Sequence, residues 1–143
     1  MMHLLDVNVL LALAWPNHVH HRPARDWFAA HSDEGWATSS VTESGFVRVS
    51  SNFRVTPDAR PPAEAATILR RICALGTHEF LRDDVSLALH ANTLGTVVHS
   101  SAQVTDVHLI FLAHTSGSSF VTFDRGASAI ADALEVPHTL LSI

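Results

Sequence analysis

Four acidic residues of this 143-residue chain stand where their chemistry could be used: Asp6, Glu43, Asp106 and Asp124. Asp6 follows His3-Leu4-Leu5, and Glu43 closes Ser40-Val41-Thr42-Glu43. Asp106 interrupts the apolar run 104–115, and Asp124 stands just after Phe120-Val121-Thr122. Singly, each reads as a helix cap, because Asp and Glu suit helix N-termini through hydrogen bonding and the macrodipole. Ser40 to Glu43 even fits a capping box. Jointly they are costly. Two like charges ~5 Å apart repel by ~3 kcal/mol at an effective dielectric of ~20. Converging carboxylates therefore need protons or a cation. The chain has no lysine, and its nine positive residues are all arginine, so a divalent ion is the natural counter-charge. Oxygen-only donors select Mg2+ or Mn2+ over zinc. Beside a polarised phosphate, such an ion equips a site for phosphodiester hydrolysis.

The elements decide whether the four can meet. Short strands are expected at 3–5, 35–38, 78–81, 119–122 and 138–141, alternating with helices. The helices are expected at 7–14 (stopped by Pro16), 18–31, 42–51, 63–75 (with Gly76 at the C′ position), 84–94, 104–115 (ending at Gly117) and 125–134. Residues 54–62 and 95–101 read as loops. Alternation of this kind implies parallel strands and right-handed crossovers, hence a three-layer α/β/α domain with a short-stranded, mainly parallel central sheet. Nothing divides residues 1–143, so one domain is expected. Helices run antiparallel to the strands, so strand C-termini and helix N-termini share one edge, where open α/β sheets place their ligands. All four carboxylates belong on that edge.

Composition narrows the classes. Hydrophobic residues make up 47% and charged residues only 16%, which excludes a disordered chain and leaves apolar surface for another chain. The lack of lysine removes Schiff-base enzymes, pyridoxal phosphate enzymes and P-loop NTPases. Cys73 is the one cysteine, so a disulfide framework or a cysteine zinc site is excluded and a reducing compartment fits. Net charge is −5, with no bulk basic signal for nucleic acid, although bound metal and local arginines can reverse the sign of a cleft. The apolar start, Leu4 to Trp15, lacks a preceding basic residue and is broken by Asp6 and Asn8. It reads as part of the fold and not as a signal peptide, and no run reaches membrane-spanning length. A cytoplasmic protein without a membrane anchor is expected.

Other reactive residues carry weaker readings. His18, His20 and His21 cluster in sequence, but the adjacent pair point apart on a helix and no carboxylate completes a metal motif, so surface or interface roles are expected. His108 reads as a packed helix residue in preference to a general base. Arg125 is a candidate for substrate phosphate, with an ion pair to Asp124 the equal alternative. Asp33, Glu34, Asp58, Asp83, Asp84 and Asp132 read as solvated charges.

Four segments in order carry a resemblance. Leu4-Leu5-Asp6-Val7-Asn8-Val9-Leu10-Leu11-Ala12, Thr42-Glu43-Ser44-Gly45-Phe46-Val47-Arg48, Thr105-Asp106-Val107-His108-Leu109 and Val121-Thr122-Phe123-Asp124-Arg125-Gly126 resemble the PIN-domain family, within it the VapC-type toxins of bacterial type II toxin–antitoxin pairs. The resemblance implies a Mg2+- or Mn2+-dependent endoribonuclease leaving 5′-phosphate and 3′-hydroxyl ends. It makes Asp6, Glu43, Asp106 and Asp124 the acidic metal site, with Asn8 and Thr122 as supporting polar residues. Ala127 departs from the frequent aromatic of the family after Asp-Arg-Gly.

The resemblance also implies partners: a cognate small antitoxin, a homodimer, and operator DNA only indirectly through the antitoxin. Trp15, Trp27, Phe28, Phe46 and Phe53 crowd the first third, and most should face the sheet while a few line a groove for the antitoxin, Trp15 and Trp27 first among them. Residues between Val85 and Leu94 or beyond are expected at the dimer contact. Two alternatives stay open. A catalytically silent PIN scaffold would bind a partner or RNA. A haloacid-dehalogenase-type phosphatase is suggested superficially by Asp6-Val7-Asn8-Val9, but that mechanism needs a second Asp where Asn8 stands.

Overall fold

A computed structural model describes residues 1–142. Strands β1 (His3–Leu5), β2 (Trp36–Ser39), β3 (His78–Leu81), β4 (Ser119–Thr122) and β5 (His138–Leu140) form one sheet in the order β3-β2-β1-β4-β5. Every pairing is parallel. Seven α-helices connect them among the described residues: α1 (Val7–Ala14), α2 (His21–His31), α3 (Ser40–Ser50), α4 (Pro62–Cys73), α5 (Ala91–Val97), α6 (Val104–Ser116) and α7 (Arg125–Ala133). No helix among the described residues is long and apolar enough to cross a membrane.

Alternation along the strands sorts the core into two halves, because successive side chains leave opposite faces of a sheet. Leu4, Ala37 and Phe120 pack with Val107, Ile110, Ala113, Ala127 and Ile130 of α6 and α7. Their neighbours Leu5, Trp36 and Val121 pack with Val9, Trp27, Phe46 and Leu69 of α1 to α4. Helices on both faces account for the near-continuous apolar character of the central strands. The result is the expected three-layer α/β/α arrangement. Each large side chain buried completely, such as Phe120 or Phe46, contributes ~1.5–3 kcal/mol.

The strand order also creates a switch point. From β1 the chain passes to β2 on one side, whereas from β4 it passes to β5 on the other. The segments that follow these two paired strands therefore leave in opposite directions, the place where open α/β sheets form a ligand crevice.

Element boundaries differ from expectation where side chains act as backbone substitutes. Helix α2 starts at His21, not His18, because His18 to His20 form turns, with His21 N–H donating to the His18 carbonyl at 3.0 Å. The N-cap of α3 is Ser39, and its capping box is made with Thr42. Ser40 and Glu43 do not form the expected box, which frees Glu43 from that role. The helix expected over 84–94 is delayed: Asp83 Oδ1 accepts the Val85 N–H at 3.0 Å, a 3-10 turn covers Leu87–His90, and α5 runs on into the expected loop. Gly76 takes φ +60 two residues beyond the C-cap Ala74, not at C′. A Cβ there would sit 2.8 Å from the Ser32 carbonyl oxygen, so only glycine lets the chain cross Ser32 into β3.

Gly45 sets how closely α3 approaches α1, directly behind Asp6. A Cβ at Gly45 would lie 2.8 Å from Val7 Cγ2, the end of a short, stiff side chain. Helix propensity alone favours Ala over Gly by ~1 kcal/mol. Overpacking costs ~1–3 kcal/mol, so Gly45→Ala is expected to lower the melting temperature by a few degrees. A thermal melt in which the variant is more stable than the parent contradicts this packing.

Candidate active site

Asp6 is the first residue beyond β1 and the N-cap of α1. Its extended backbone places its N–H on the Val121 carbonyl at 2.9 Å, continuing the ladder to β4. Oδ1 accepts the Val7 N–H at 2.7 Å. Oδ2 accepts the Thr122 hydroxyl at 2.7 Å and the Asn8 amide at 3.3 Å. Asn8 Oδ1 in turn accepts the Phe123 N–H at 3.2 Å, and Thr122 Oγ1 accepts the Asp124 N–H at 3.0 Å. Asn8 and Thr122 thus pin the end of β1 to the end of β4, with Asp6 only 6% exposed between them.

Asp124 caps α7: its Oδ1 accepts N–H groups from Gly126 at 2.7 Å and Ala127 at 3.2 Å. The capping explanation therefore holds for Asp6 and Asp124, but it does not dispose of them. Burial pushes the Asp6 carboxyl up to about 6, against the pull of its hydrogen bonds, and the nearby Asp124 charge adds to the rise. Asp106 lies in the first turn of α6, whose N-cap Gln103 makes no side-chain capping bond, and Asp106 is not the cap either. Burial, then the charges of Asp6 and Asp124, push it up to about 7. The fold therefore joins Asp6, Asp106 and Asp124 into one electrostatic unit at the switch point.

Glu43 has different company. The Thr38 hydroxyl donates to its Oε2 at 2.7 Å and lies 2.8 Å from His78 Nε2. One hydroxyl has one proton, so His78 Nε2–H is the donor in the second contact. Donor atoms of Glu43, Cys73 and His78 lie within 4.8 Å of one another. Burial, then the Glu43 charge, raises the Cys73 thiol to about 11. Glu43 shares the sheet edge with the aspartates but its hydrogen bond turns toward α4 and β3. Nothing in the sequence announced Thr38, Cys73 or His78, because the pairing of β2 with β3 brings Thr38 and His78 together and the packing of α4 on α3 adds Cys73.

Arg125 is exposed at the start of α7. Among the described residues the ion pairs all involve histidine, so Arg125 forms none with Asp124. Asp83 is not the solvated charge expected: its carboxylate is hydrogen-bonded to His108 Nε2, which makes His108 a packed residue. His21 Nδ1 lies on the Ala12 carbonyl at 2.7 Å, and His20 stacks on Phe123 at 4.6 Å. Trp27 is buried and unavailable to a groove, whereas half-buried Trp15 lines two surface clefts and Phe53 is largely exposed. Of the segment 85–94, Val85, Leu87 and Leu94 pack on the core and Leu89 projects outward.

The donor set fits a hard divalent ion. It is all oxygen, the Asp124 charge bears on both Asp6 and Asp106, and no arginine partners any of them among the described residues.

Comparison with known proteins places the chain in a family. The PIN domain family matches residues 3–133. The chain is similar to ribonuclease VapC38 of Mycobacterium tuberculosis, 47% identical over 99% of both chains. It is similar to ribonuclease VapC39 of the same organism, 47% identical over 90% of this chain and 91% of the other. Ribonuclease VapC44 is 41% identical over 90% and 89%. In fold it matches a crystal structure of VapBC2 from Rickettsia felis bound to a DNA fragment from its promoter, with a TM-score of 0.68 at 11% identity, covering 99% of this chain and 100% of that one.

The raised carboxyls give the metal-free protein a characteristic pH response. Such a group keeps its proton in the folded chain where the unfolded chain has lost it. Stability is therefore lost as pH rises from 3.8 to about 7 through the Asp106 window. Asp106→Asn is expected to flatten that loss. After allowance for its partial exposure, the gain near neutral pH is ~1 kcal/mol, or about 2–4 °C. Mg2+ should raise the melting temperature of the parent more than that of the variant. An unchanged pH profile and an undiminished Mg2+ response in the variant would sink the assignment.

Proposed function

The chain belongs to the PIN-domain family, in its VapC group, and from that premise we propose that it is the toxin of a type II toxin–antitoxin pair. Its reaction is hydrolysis of RNA phosphodiesters, as a Mg2+- or Mn2+-dependent endoribonuclease in the cytoplasm. The observation that carries this reading is the placement of Asp6, Asp106 and Asp124 together at the sheet's switch point, where burial and then the neighbouring carboxylate charge raise Asp6 and Asp106. A group of carboxylates in that state calls for a divalent cation.

Asp6, Asp106 and Asp124 are the residues that hold the ion, with Glu43 contributing from the same edge. When bound, the ion supplies the counter-charge that keeps the carboxylates ionised together and polarises phosphate and water. The chain's own residues do the positioning. Thr122 and Asn8 fix the Asp6 carboxylate from β4 and α1, so it needs no reorganisation to receive a cation. Gly126 and Ala127 N–H groups hold one oxygen of Asp124, leaving the other to the crevice. Arg125, exposed and without a carboxylate partner among the described residues, offers its guanidinium to substrate phosphate.

The family reading supplies the products, 5′-phosphate and 3′-hydroxyl ends, and the partners. A small antitoxin binds along the clefts beside Trp15, and a basic side chain from it competes for the aspartates. Two copies of the chain associate, and operator DNA is reached only through the antitoxin. A phosphatase of the haloacid-dehalogenase type is disfavoured, because Asn8 donates to Asp6 where that chemistry needs an acid.

Cleavage of labelled RNA with Mg2+ is the test. Chelator and Asp6→Asn are each expected to abolish cleavage, and Asn8→Ala to lower it ~10–100-fold, as loss of a supporting hydrogen bond does at metal sites. Cleavage that survives excess chelator overturns the metal reading. An inert parent chain with intact fold and demonstrable antitoxin binding would point to the silent scaffold instead.

A further inference from the structure

The opposite edge of the sheet carries a second group of converging donors. His3 opens β1, His31 ends α2, and Glu34 lies in the 3-10 turn that leads into β2. His3 Nε2 lies 3.0 Å and His31 Nδ1 2.9 Å from the same oxygen, Glu34 Oε1. All three donor atoms fall within 4.8 Å of one another. The sequence does not signal the group, since His31 and Glu34 stand three residues apart but His3 joins them only through the fold, and Glu34 reads as a solvated charge.

We infer that His3, His31 and Glu34 form a binding site for a transition-metal dication of the zinc class, separate from the carboxylate site and independent of the nuclease reading. Two imidazole nitrogens and one carboxylate oxygen on three elements are a zinc donor set, leaving one position open. Zinc–donor bonds of ~2.0–2.2 Å in a tetrahedral site set donors a little over 3 Å apart. The two nitrogen–oxygen distances reach that with movements of a few tenths of an ångström, and the two nitrogens already lie within 4.8 Å of each other.

The surroundings hold the rings ready. His3 Nδ1 lies 2.7 Å from Ser119 Oγ on β4. When Nδ1–H donates to that hydroxyl, Nε2 turns its lone pair toward Glu34 Oε1. Two acceptors then face each other, a contact that a cation between them resolves. A metal-ligating histidine that donates its other N–H to a fixed partner is the usual outer arrangement. The buried indole of Trp27 lies edge-on to His3 at 5.2 Å and stacks with His31 at 4.9 Å, which restricts both rotamers. Glu34 is exposed, so a cation can enter from solvent. A bound ion ties the start of β1 to the end of α2 and to the turn before β2, and its binding energy adds to the stability of the fold.

Zn2+ and Co2+ alone serve as probes on the purified chain, with Asp106→Asn as the background that weakens the other site. Zn2+ is expected to raise the melting temperature at one equivalent. His31→Ala and Glu34→Gln should each remove that rise, and Ser119→Ala should weaken Zn2+ affinity ~10–100-fold. Bound Co2+ should give visible d–d bands without a thiolate charge-transfer band. Three results overturn the proposal: no response to Zn2+ in the parent, a full response in both His31→Ala and Glu34→Gln, or a response with thiolate absorption that disappears in Cys73→Ser. The last would move the ion to Glu43, Cys73 and His78. RNA cleavage is not a readout here, so failure of this site leaves the nuclease reading untouched.

Discussion

A carboxylate buried where two paired central strands end is the constraint on which the rest of this molecule depends. Asp6 is desolvated, yet three donors hold it: the Val7 N–H, the Thr122 hydroxyl and the Asn8 amide. Those bonds fail to cancel the cost of burial, and the carboxyl stays raised. Capping of α1 offsets part of that cost, but a serine or threonine would cap the helix without burying a charge. The effect of the aspartate is to keep a charge deficit at the place where β1 and β4 end. Helices α6 and α7 begin at the same edge and pack against each other, so Asp106 and Asp124 bring their carboxylates to the same place.

The fold was legible because both faces of the sheet are covered. A strand buried on both sides must read as a short apolar run, and Phe120-Val121-Thr122 does so without competing periodicity. Alternation with helices then fixes parallel pairing, since hairpins cannot supply it. Boundaries were less legible for a specific reason. A serine, threonine or aspartate side chain can take over a backbone hydrogen bond, and which one does so depends on a single torsion. Ser39 in place of Ser40 at the start of α3, and Asp83 ahead of the 3-10 turn, are both instances of that substitution.

Site residues divide along the same line. Convergence of Asp6, Asp106 and Asp124 is a consequence of topology, because any residue at a strand end or a helix start in a parallel sheet is drawn to one edge. Contacts that depend on packing are invisible to such reasoning. The company of Glu43 depends on how α4 lies against α3, and the pairing of Asp83 with His108 depends on where the chain re-enters α6. Trp27 makes the same point from the other side. Its place in the aromatic-rich first third suggests a surface anchor, but the helix turns it inward onto His3 and His31.

The arginines stand apart from these contacts. Every ion pair among the described residues joins a histidine to a carboxylate, and all nine arginines are exposed. A chain of net charge −5 has enough acids to pair them, so the separation is a property of the fold and not of composition. Guanidinium groups left in water contribute little to stability, since exposed pairs are worth only ~0–1 kcal/mol even when formed. They retain their full capacity for bidentate contact with phosphate or carboxylate oxygens from outside the chain. Positive charge is thus held entirely at the surface, whereas part of the negative charge, at Asp6 and Asp106, is withdrawn from solvent at the site. In the proposed reading, a polyanion would meet repulsion from Asp6, Asp106 and Asp124 and attraction from Arg125 beside them. A cation held by those carboxylates would remove the first and leave the second, so metal would serve binding of the substrate as well as its hydrolysis.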